Sequence, residues 1–511
     1  MRWCAVSSLL VAVALGGCSK EANYTLRLIP YMPDGERVFD GGGEVWVGVR
    51  RPDGEDTWES LGELTDSTVE ESGFGALADD RIAIAVGGPD GPVEAPESLT
   101  AYGETAPLTL DKGNTELNVE LLVASMVGVG GLSALDPANL GASVAVLDDG
   151  RVYVFGGSSG AASACTNTIR RASNLNTGSW DFLTIPATLE QGTCFSRATP
   201  LTISDRPYVL VSGGQPTWSD YERRHSRVTL FNATTEEVVW SVNTELSRAR
   251  HAVQILDDGR ILMVSGSWTV PGTPPAGASA EVIEISEDSV PRLQSVETFA
   301  AIPPVEFMTA LIPNGIAVCG GGRWSGSTIT AEGKCGIVGA TGTLSPLPDL
   351  PVPIRGGMMT HLSDGRLLLA GGITGASNAG SNATARDAAY VLDLGTAGAT
   401  WTDVGSLASP RAFATIVADG AGGAVVLGGA PNASGFNSAP PSVPECGERF
   451  IPSDVGGSFV PLSGCATAGQ GLLPTVAVHP TYGVVTVQGR IPGVPEETGG
   501  QAVGIISLGP K

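Results

Sequence analysis

The sequence predicts an all-β chain, on three observations. Turn-forming residues are abundant: glycine supplies 70 and proline 35 of the 511 residues, about a fifth of the chain against a usual ~12%. Hydrophobic residues reach 42% while charged ones stop at 16%, so a core can be buried but the Lys and Glu that favour helices are scarce. Short apolar runs alternate with Asp-Gly, Asn-Gly and Gly-Gly turns along most of the chain, the pattern of many short strands joined by hairpins. Coiled coils, collagen and helical bundles are excluded.

Charge narrows the function classes. Lys and Arg number 29 against 53 Asp and Glu, a formal balance of −24. Nucleic-acid binding needs clustered cations to displace counterions, and this chain lacks them. It also lacks the polybasic surface that draws proteins to anionic lipids.

The elements follow in order. Met1-Arg2-Trp3 gives a positive start, residues 4–15 are an apolar run, and Leu15-Gly16-Gly17-Cys18 closes it. The run is too short to cross a bilayer as a mature helix and reads as an export signal, residues 1–17. The tetrapeptide resembles the lipobox of bacterial lipoproteins, which implies cleavage before Cys18 and acyl chains on that cysteine, with 18–23 as a tether. Several acyl chains anchor stably where one is marginal. Ser19 and Lys20 follow in place of the aspartate of an inner-membrane retention signal, so the expectation is an outer-membrane lipoprotein of the cell envelope. The other reading is an ordinary secretory signal with a chance cysteine.

Export fits the remaining cysteines. Cys165, Cys194, Cys319, Cys335, Cys446 and Cys465 stand as sequence-local pairs, and an even number in an oxidising compartment reads as disulfides. Proximity favours 165–194, 319–335 and 446–465, among about 15 possible connectivities. No CxxC is present, so a zinc ribbon has no support.

Residues 24–123 carry the strand-like runs YTLRLIP, EVWVGVR, RIAIAVG and ELNVELLV between Pro-Asp-Gly turns. About 100 residues of short strands predict a small β-sandwich domain. Its dense carboxylates read as a solvated face, with no DxDxDG loop for calcium.

From about residue 136 a longer period takes over. Seven segments share one shape, an apolar strand, a turn and a second apolar strand ending in glycine: AVLDDGRVYVFGG, ISDRPYVLVSGG, QILDDGRILMVSGS, LIPNGIAVCGG, HLSDGRLLLAGG, VADGAGGAVVLGG and HPTYGVVTVQGR. Their closing glycines lie 57, 53, 54, 51, 57 and 61 residues apart. Self-similarity at such a period in a strand-rich chain signals a propeller. A third strand follows, often ending in tryptophan, as at Trp180, Trp240 and Trp401.

These units resemble the Kelch repeat, a hydrophobic strand ending in Gly-Gly followed by a third strand and a Trp. Gly-Gly is intact in five units, reads Gly266-Ser267 in the third and Gly489-Arg490 in the seventh, and the Trp is lost in units three, four and seven. The resemblance covers roughly 136–511 and implies four-stranded blades, here seven. The last unit stops after its third strand, so a segment near 126–135 is expected to close the ring, giving a propeller over 124–511. A six-bladed ring with a divergent extra hairpin is the alternative.

Catalytic motifs are sparse. The histidines are 225, 251, 361 and 479, without HExxH and without a phosphate loop. A formal GxSxG around Ser158 falls in a glycine turn between antiparallel strands, not on a strand-to-helix elbow. Kelch-type propellers include copper oxidases, but here each mature cysteine has a disulfide partner to hand and no His pair stands at metal-ligand spacing. No cofactor and no metal are expected.

One register pattern remains. Counting nine residues back from hairpin glycines reaches Arg250 from Gly259, Glu306 from Gly315 and Arg411 from Gly420. Arg197 stands similarly before Asp205-Arg206, and Arg355 is one residue out. The position begins the innermost strand, so these residues are expected to ring one mouth of the central channel. Animal Kelch adaptors bind acidic peptides there, which implies an anion-binding mouth; the competing role is structural stitching to carboxylates. The sequence thus predicts an envelope binding or scaffolding module for a protein or glycan partner, without catalysis. The alternative is an envelope carbohydrate-active enzyme, sialidase- or oxidase-like.

Overall fold

The computed structural model describes residues 22–31, 43–52, 55–63, 68–94, 98–105, 108, 116–126, 130–135, 139–159, 164–173, 180–217, 223–264, 278–286, 291–378, 383–419, 423–431, 447–453, 456–462, 474–479, 483–487 and 502–507. The described chain is almost all β, with one four-residue helical turn at Gly91–Glu94. No helix among these residues is long and apolar enough to cross a membrane. Cys18, Cys446 and Cys465 lie outside the described residues.

The amino-terminal strands join one seven-stranded sheet. Its core is Val45, Val47, Val49, Ile82, Ile84 and Val86, alternate positions of the antiparallel strands Glu44–Arg50 and Arg81–Gly87. A β-strand sends every second side chain to one face, which is why these valines and isoleucines meet.

Beyond residue 130 the strands form four-stranded antiparallel sheets, seven among the described residues. In six of them the strands follow chain order as a meander, as in Arg197–Ile203, Arg206–Ser212, Arg227–Asn232 and Glu237–Asn243, with insertions before the third strand in the fourth and fifth. The seventh takes its fourth strand from upstream: Gly130–Ala134 lies antiparallel to Ala502–Ile506. First strands of successive sheets adjoin one another, and Thr475–His479 of the last adjoins Ser143–Val146 of the first. That closure is reinforced by Thr475 Oγ1 donating to the Ala142 carbonyl at 2.9 Å and by His479 Nε2 against the Gly150 carbonyl at 2.9 Å. The architecture is of the β-propeller type.

The glycine doublets explain how neighbouring sheets are joined. The second glycine donates its N–H to a carbonyl just before the next sheet: Gly157 to Thr193, Gly214 to Arg248, Gly321 to Ile354 and Gly372 to Arg411, at 2.7 to 2.9 Å. The first glycine takes positive φ, and a Cβ on Gly213 would lie 2.4 Å from the Arg248 carbonyl oxygen. A side chain there would push the sheets apart, so the doublet is the hinge between sheets and not merely a turn.

The structure adds a feature absent from the sequence reading. Gly322–Ser325, Thr328–Ala331 and Ala376–Asn378 form a separate three-stranded sheet, built from insertions in the fourth and fifth sheets.

Candidate functional site

The candidate site lies where the first strands begin. Gly141, Phe195, Arg250, Glu306, Gly356 and Phe413 each precede a first strand, and all have positive φ, between 54° and 68°. Their backbones bond in sequence: Phe195 N–H to the Gly141 carbonyl (2.7 Å), Arg250 to Phe195 (2.9 Å), Gly356 to Glu306 (2.8 Å) and Phe413 to Gly356 (2.8 Å). A non-glycine residue held left-handed is uncommon and persists only where its surroundings fix it. Here hydrogen bonds to the neighbouring sheet do so.

This register corrects the sequence count. Arg250 and Glu306 are equivalent, but Arg197 follows its register residue Phe195 by two, Arg355 precedes Gly356 by one, and Arg411 precedes Phe413 by two. The reason is hairpin length. Ala418 faces Ala424 as Ile255 faces Ile261, so the strand pairing sets Phe413, not Arg411, in the place of Arg250. Arg197 misses because Ile203 faces Arg206 across a two-residue turn, which lengthens the strand.

Arg411 therefore matches Arg248, a residue that counting overlooked. Both are buried, and each donates to a buried carboxylate on the third strand of its sheet: Arg248 Nη2 to Glu281 at 2.5 Å and Arg411 Nη2 to Glu448 at 2.7 Å. Each also donates through Nη1 to a backbone carbonyl, of Met263 and of Gly428. The carboxylates accept in turn from the backbone N–H of Glu245 and of Ala408. Burial pulls both guanidinium pKa values down, opposed by the paired carboxylate. The first sheet holds the same contact with roles exchanged, Arg170 donating to Asn139 Oδ1 at 2.7 Å. Arg411 is stitching.

Four predicted residues stay near the mouth. Arg355 is paired with Glu306 and also donates to Ser377 of the three-stranded sheet. Burial raises the Glu306 carboxyl pKa, with Arg355 and then Arg250 opposing. The Arg250 guanidinium lies over the Phe195 ring, 3.7 Å from its centroid, a cation–π contact. Arg197 begins the innermost strand of the second sheet, pairing with Ser212 across the hairpin. It reaches solvent, yet protein encloses it closely enough that desolvation lowers its pKa, and no carboxylate pairs with it among the described residues.

The histidines do not converge. Buried His251 places Nε2 2.7 Å from Ser212 Oγ, and burial with Arg248 and Arg197 drives its pKa well down. This is hydroxyl–imidazole geometry, but Ser212 and His251 are 0% and 4% exposed, so no substrate reaches the pair. His225 faces the Gly192 carbonyl, His479 the Gly150 carbonyl, and His361 stands by Asp364 at the hairpin end. Ser158 is buried and bonded through its backbone to Leu140. Disulfides join Cys165 to Cys194 and Cys319 to Cys335.

The sheets and their cyclic order define a chain of β-propeller type, and two solved structures are similar to it. One is a fungal alcohol oxidase of the AA5 family, solved in complex with copper, 16% identical, TM-score 0.50, covering 74% of this chain and 75% of that one. The other is a protein designated YjhT, 12% identical, TM-score 0.44, covering 64% of this chain and 99% of that one. No family model and no curated protein matches the sequence. Copper is named for the oxidase, so the donor set was tested: among the described residues no group of three or more His, Cys, Asp or Glu is placed to hold a metal. The side chains among the described residues do not fit a copper centre.

Proposed function

We propose that this protein is a lipid-anchored binding module of the cell envelope, a seven-bladed Kelch-like propeller over 124–511 behind a small β-sandwich over 24–123. Residues 1–17 are its export signal, Cys18 its acylated residue, 18–23 its tether, and Cys446–Cys465 a third disulfide. Recognition of a protein or glycan partner occurs at the mouth where the first strands begin. The observation that carries this reading is Arg197: a solvent-reaching cation with no carboxylate partner among the described residues, on a first strand that adjoins the one Arg250 precedes, in a chain of net charge −24. Cations gathered in an acidic protein make a focused site for an anionic group.

The test is co-purification from solubilised envelopes with the detergent-solubilised full chain. Wild type is compared with Arg197→Gln and with the Arg197→Gln/Arg250→Gln double variant, each shown to keep a cooperative thermal transition. Loss of a wild-type partner in the folded variants supports the mouth; equal retention refutes it. Cys18→Ser checks the anchor separately, since it should move the chain out of the membrane fraction.

A further inference from the structure

A titratable side chain stands beside Arg197. His251 lies between Arg250 and the first strand of the third sheet, Ala252–Ile255, and is 4% exposed. Its Nε2 lies 2.7 Å from Ser212 Oγ, while its Nδ1 is buried and meets no hydrogen-bond partner among the described residues. Ser212 in turn faces Arg197 across the first hairpin of the second sheet. Residues directly opposite in an antiparallel pair project from one face, with Cβ atoms ~4.5–5.5 Å apart. Guanidinium, hydroxyl and imidazole therefore stand in one row that crosses from the second sheet to the third. Gly213 keeps the row tight, since a Cβ there would fall 2.8 Å from His251 Cε1.

The charges around the imidazole are unevenly satisfied. Arg248, on the same segment, is paired with Glu281 from the third strand of the third sheet. Arg250, the preceding residue, lies over the Phe195 ring, and Glu306 before the fourth sheet is paired with Arg355. Arg197, from the first strand of the second sheet, meets no carboxylate among the described residues. Burial, then Arg248, then Arg197 hold the imidazole neutral, and no carboxylate of these elements opposes them. Of the two cations, Arg197 is the one that an arriving anion can neutralise. Once neutralised, it opposes a proton on His251 less. With Nε2–H donating to Ser212 Oγ, Nδ1 is the nitrogen left to receive that proton. Such coupling is reciprocal: if an anion raises the proton affinity of His251, protonation of His251 raises the affinity for the anion by the same factor.

We infer that anion capture at Arg197 is coupled to proton uptake by His251, so that the mouth holds its anionic ligand more tightly in acid than at neutral pH. This rests on the mouth proposed above and adds its regulation. The probe is sulfate, whose charge stays constant over the range, so any pH dependence belongs to the protein. Calorimetric titration of the detergent-solubilised full chain at pH 7 and pH 5 reads the affinity. Repeating it in buffers of different ionisation enthalpy reads the protons taken up. The whole chain also sheds negative charge in acid, so the folded His251→Asn protein serves as the reference. From pH 7 to pH 5 the wild-type affinity should gain about fivefold or more over that of His251→Asn, the lower end of ~5–150-fold couplings. Binding at pH 5 should also take up protons that the variant does not. Arg197→Gln should bind sulfate at neither pH. Should His251→Asn lose its cooperative thermal transition, the wild-type imidazole NMR titration takes its place, and saturating sulfate should move the His251 midpoint upward. The inference fails if wild type and His251→Asn share one pH profile, if they take up protons alike, if the His251 midpoint stays put, or if Arg197→Gln binds sulfate like wild type. Sulfate that binds with a profile like the variant's removes the coupling and leaves the mouth. Sulfate that binds at neither pH also overturns the coupling, and the envelope co-purification judges the mouth separately.

Discussion

The third and sixth sheets seal their arginines; the second sheet does not. Arg248 and Arg411 are each 1% exposed and each meets a carboxylate that is equally buried. At the matching position the second sheet has Thr193, whose Oγ1 donates to the Gly213 carbonyl at 3.1 Å, and the adjacent Cys194 is tied covalently to Cys165. In the fourth sheet Cys319 faces Cys335 across the second and third strands. The ion pairs join the start of a sheet to its own third strand, whereas Cys165–Cys194 joins the segment before the first sheet's third strand to the start of the second sheet. The matching position of the second sheet thus carries no arginine, and Arg197, two residues past its register residue Phe195, begins the first strand without a carboxylate partner among the described residues. The comparison teaches that an arginine's place in the repeat says little about its role until burial and a partner carboxylate are known.

The sharpest way to break it is to open a sealed pair. Arg411→Ala should cost about 3–5 kcal/mol, because Glu448 is left buried and charged without its partner. Arg248→Ala should match it through Glu281. Denaturant unfolding measures both, and a loss below about 1 kcal/mol would place these pairs with ordinary surface bridges. Cys165→Ser/Cys194→Ser should follow at about 3–4 kcal/mol, the chain-entropy value for a loop of this length. Because the disulfide ties the first sheet to the start of the second, that variant should also loosen this junction more than Arg411→Ala does. Amide hydrogen exchange at Gly214 and His225 reads the difference.

How far this contrast was legible follows from what fixes register. The doublets, the Asp-Gly hairpins and the local cysteine pairs 165–194 and 319–335 are short-range features, each encoded within about 30 residues, and they stood out in the sequence. The arginine register did not, because it depends on which residues of the two hairpin strands face each other, and only strand pairing decides that. Glu281 and Glu448 lie 33 and 37 residues from their arginines, on strands whose facing is set by the fold; nothing in composition joins them. The three-stranded sheet escaped for the same reason, being assembled from separate segments of the chain.

The closure of the ring offers a gentler probe through pH. Burial brings His479 to about 4 from the ordinary 6.5, only partly offset by its bond to the Gly150 carbonyl. Between those values the unfolded chain binds a proton that the folded chain refuses. Stability is therefore full above about 6.5 and falls as the pH drops toward 4, by about 3 kcal/mol in all. His479→Gln should flatten this slope, and urea midpoints at pH 7 and pH 5 test it. An unchanged slope would mean that the first and seventh sheets part more easily than their packing implies.

The smallest effect on stability is the most informative for function. Arg197→Gln removes a cation that pairs with no carboxylate among the described residues and pays a desolvation penalty in place. Its loss should shift stability by no more than about 0.5 kcal/mol, as for substitutions away from buried networks. Because Arg197 also depresses His251, its replacement should let that imidazole titrate higher, a change visible in its NMR titration. Arg411→Ala, far from His251 in the repeat, should leave that titration alone. A stable Arg197→Gln protein with a shifted His251 titration would establish that the second sheet carries a charge the fold does not need. Such a charge is kept for a ligand or for tuning a neighbour, and the co-purification experiment then separates those two. A destabilisation comparable to that of Arg411→Ala would erase the distinction between sealed and open sheets.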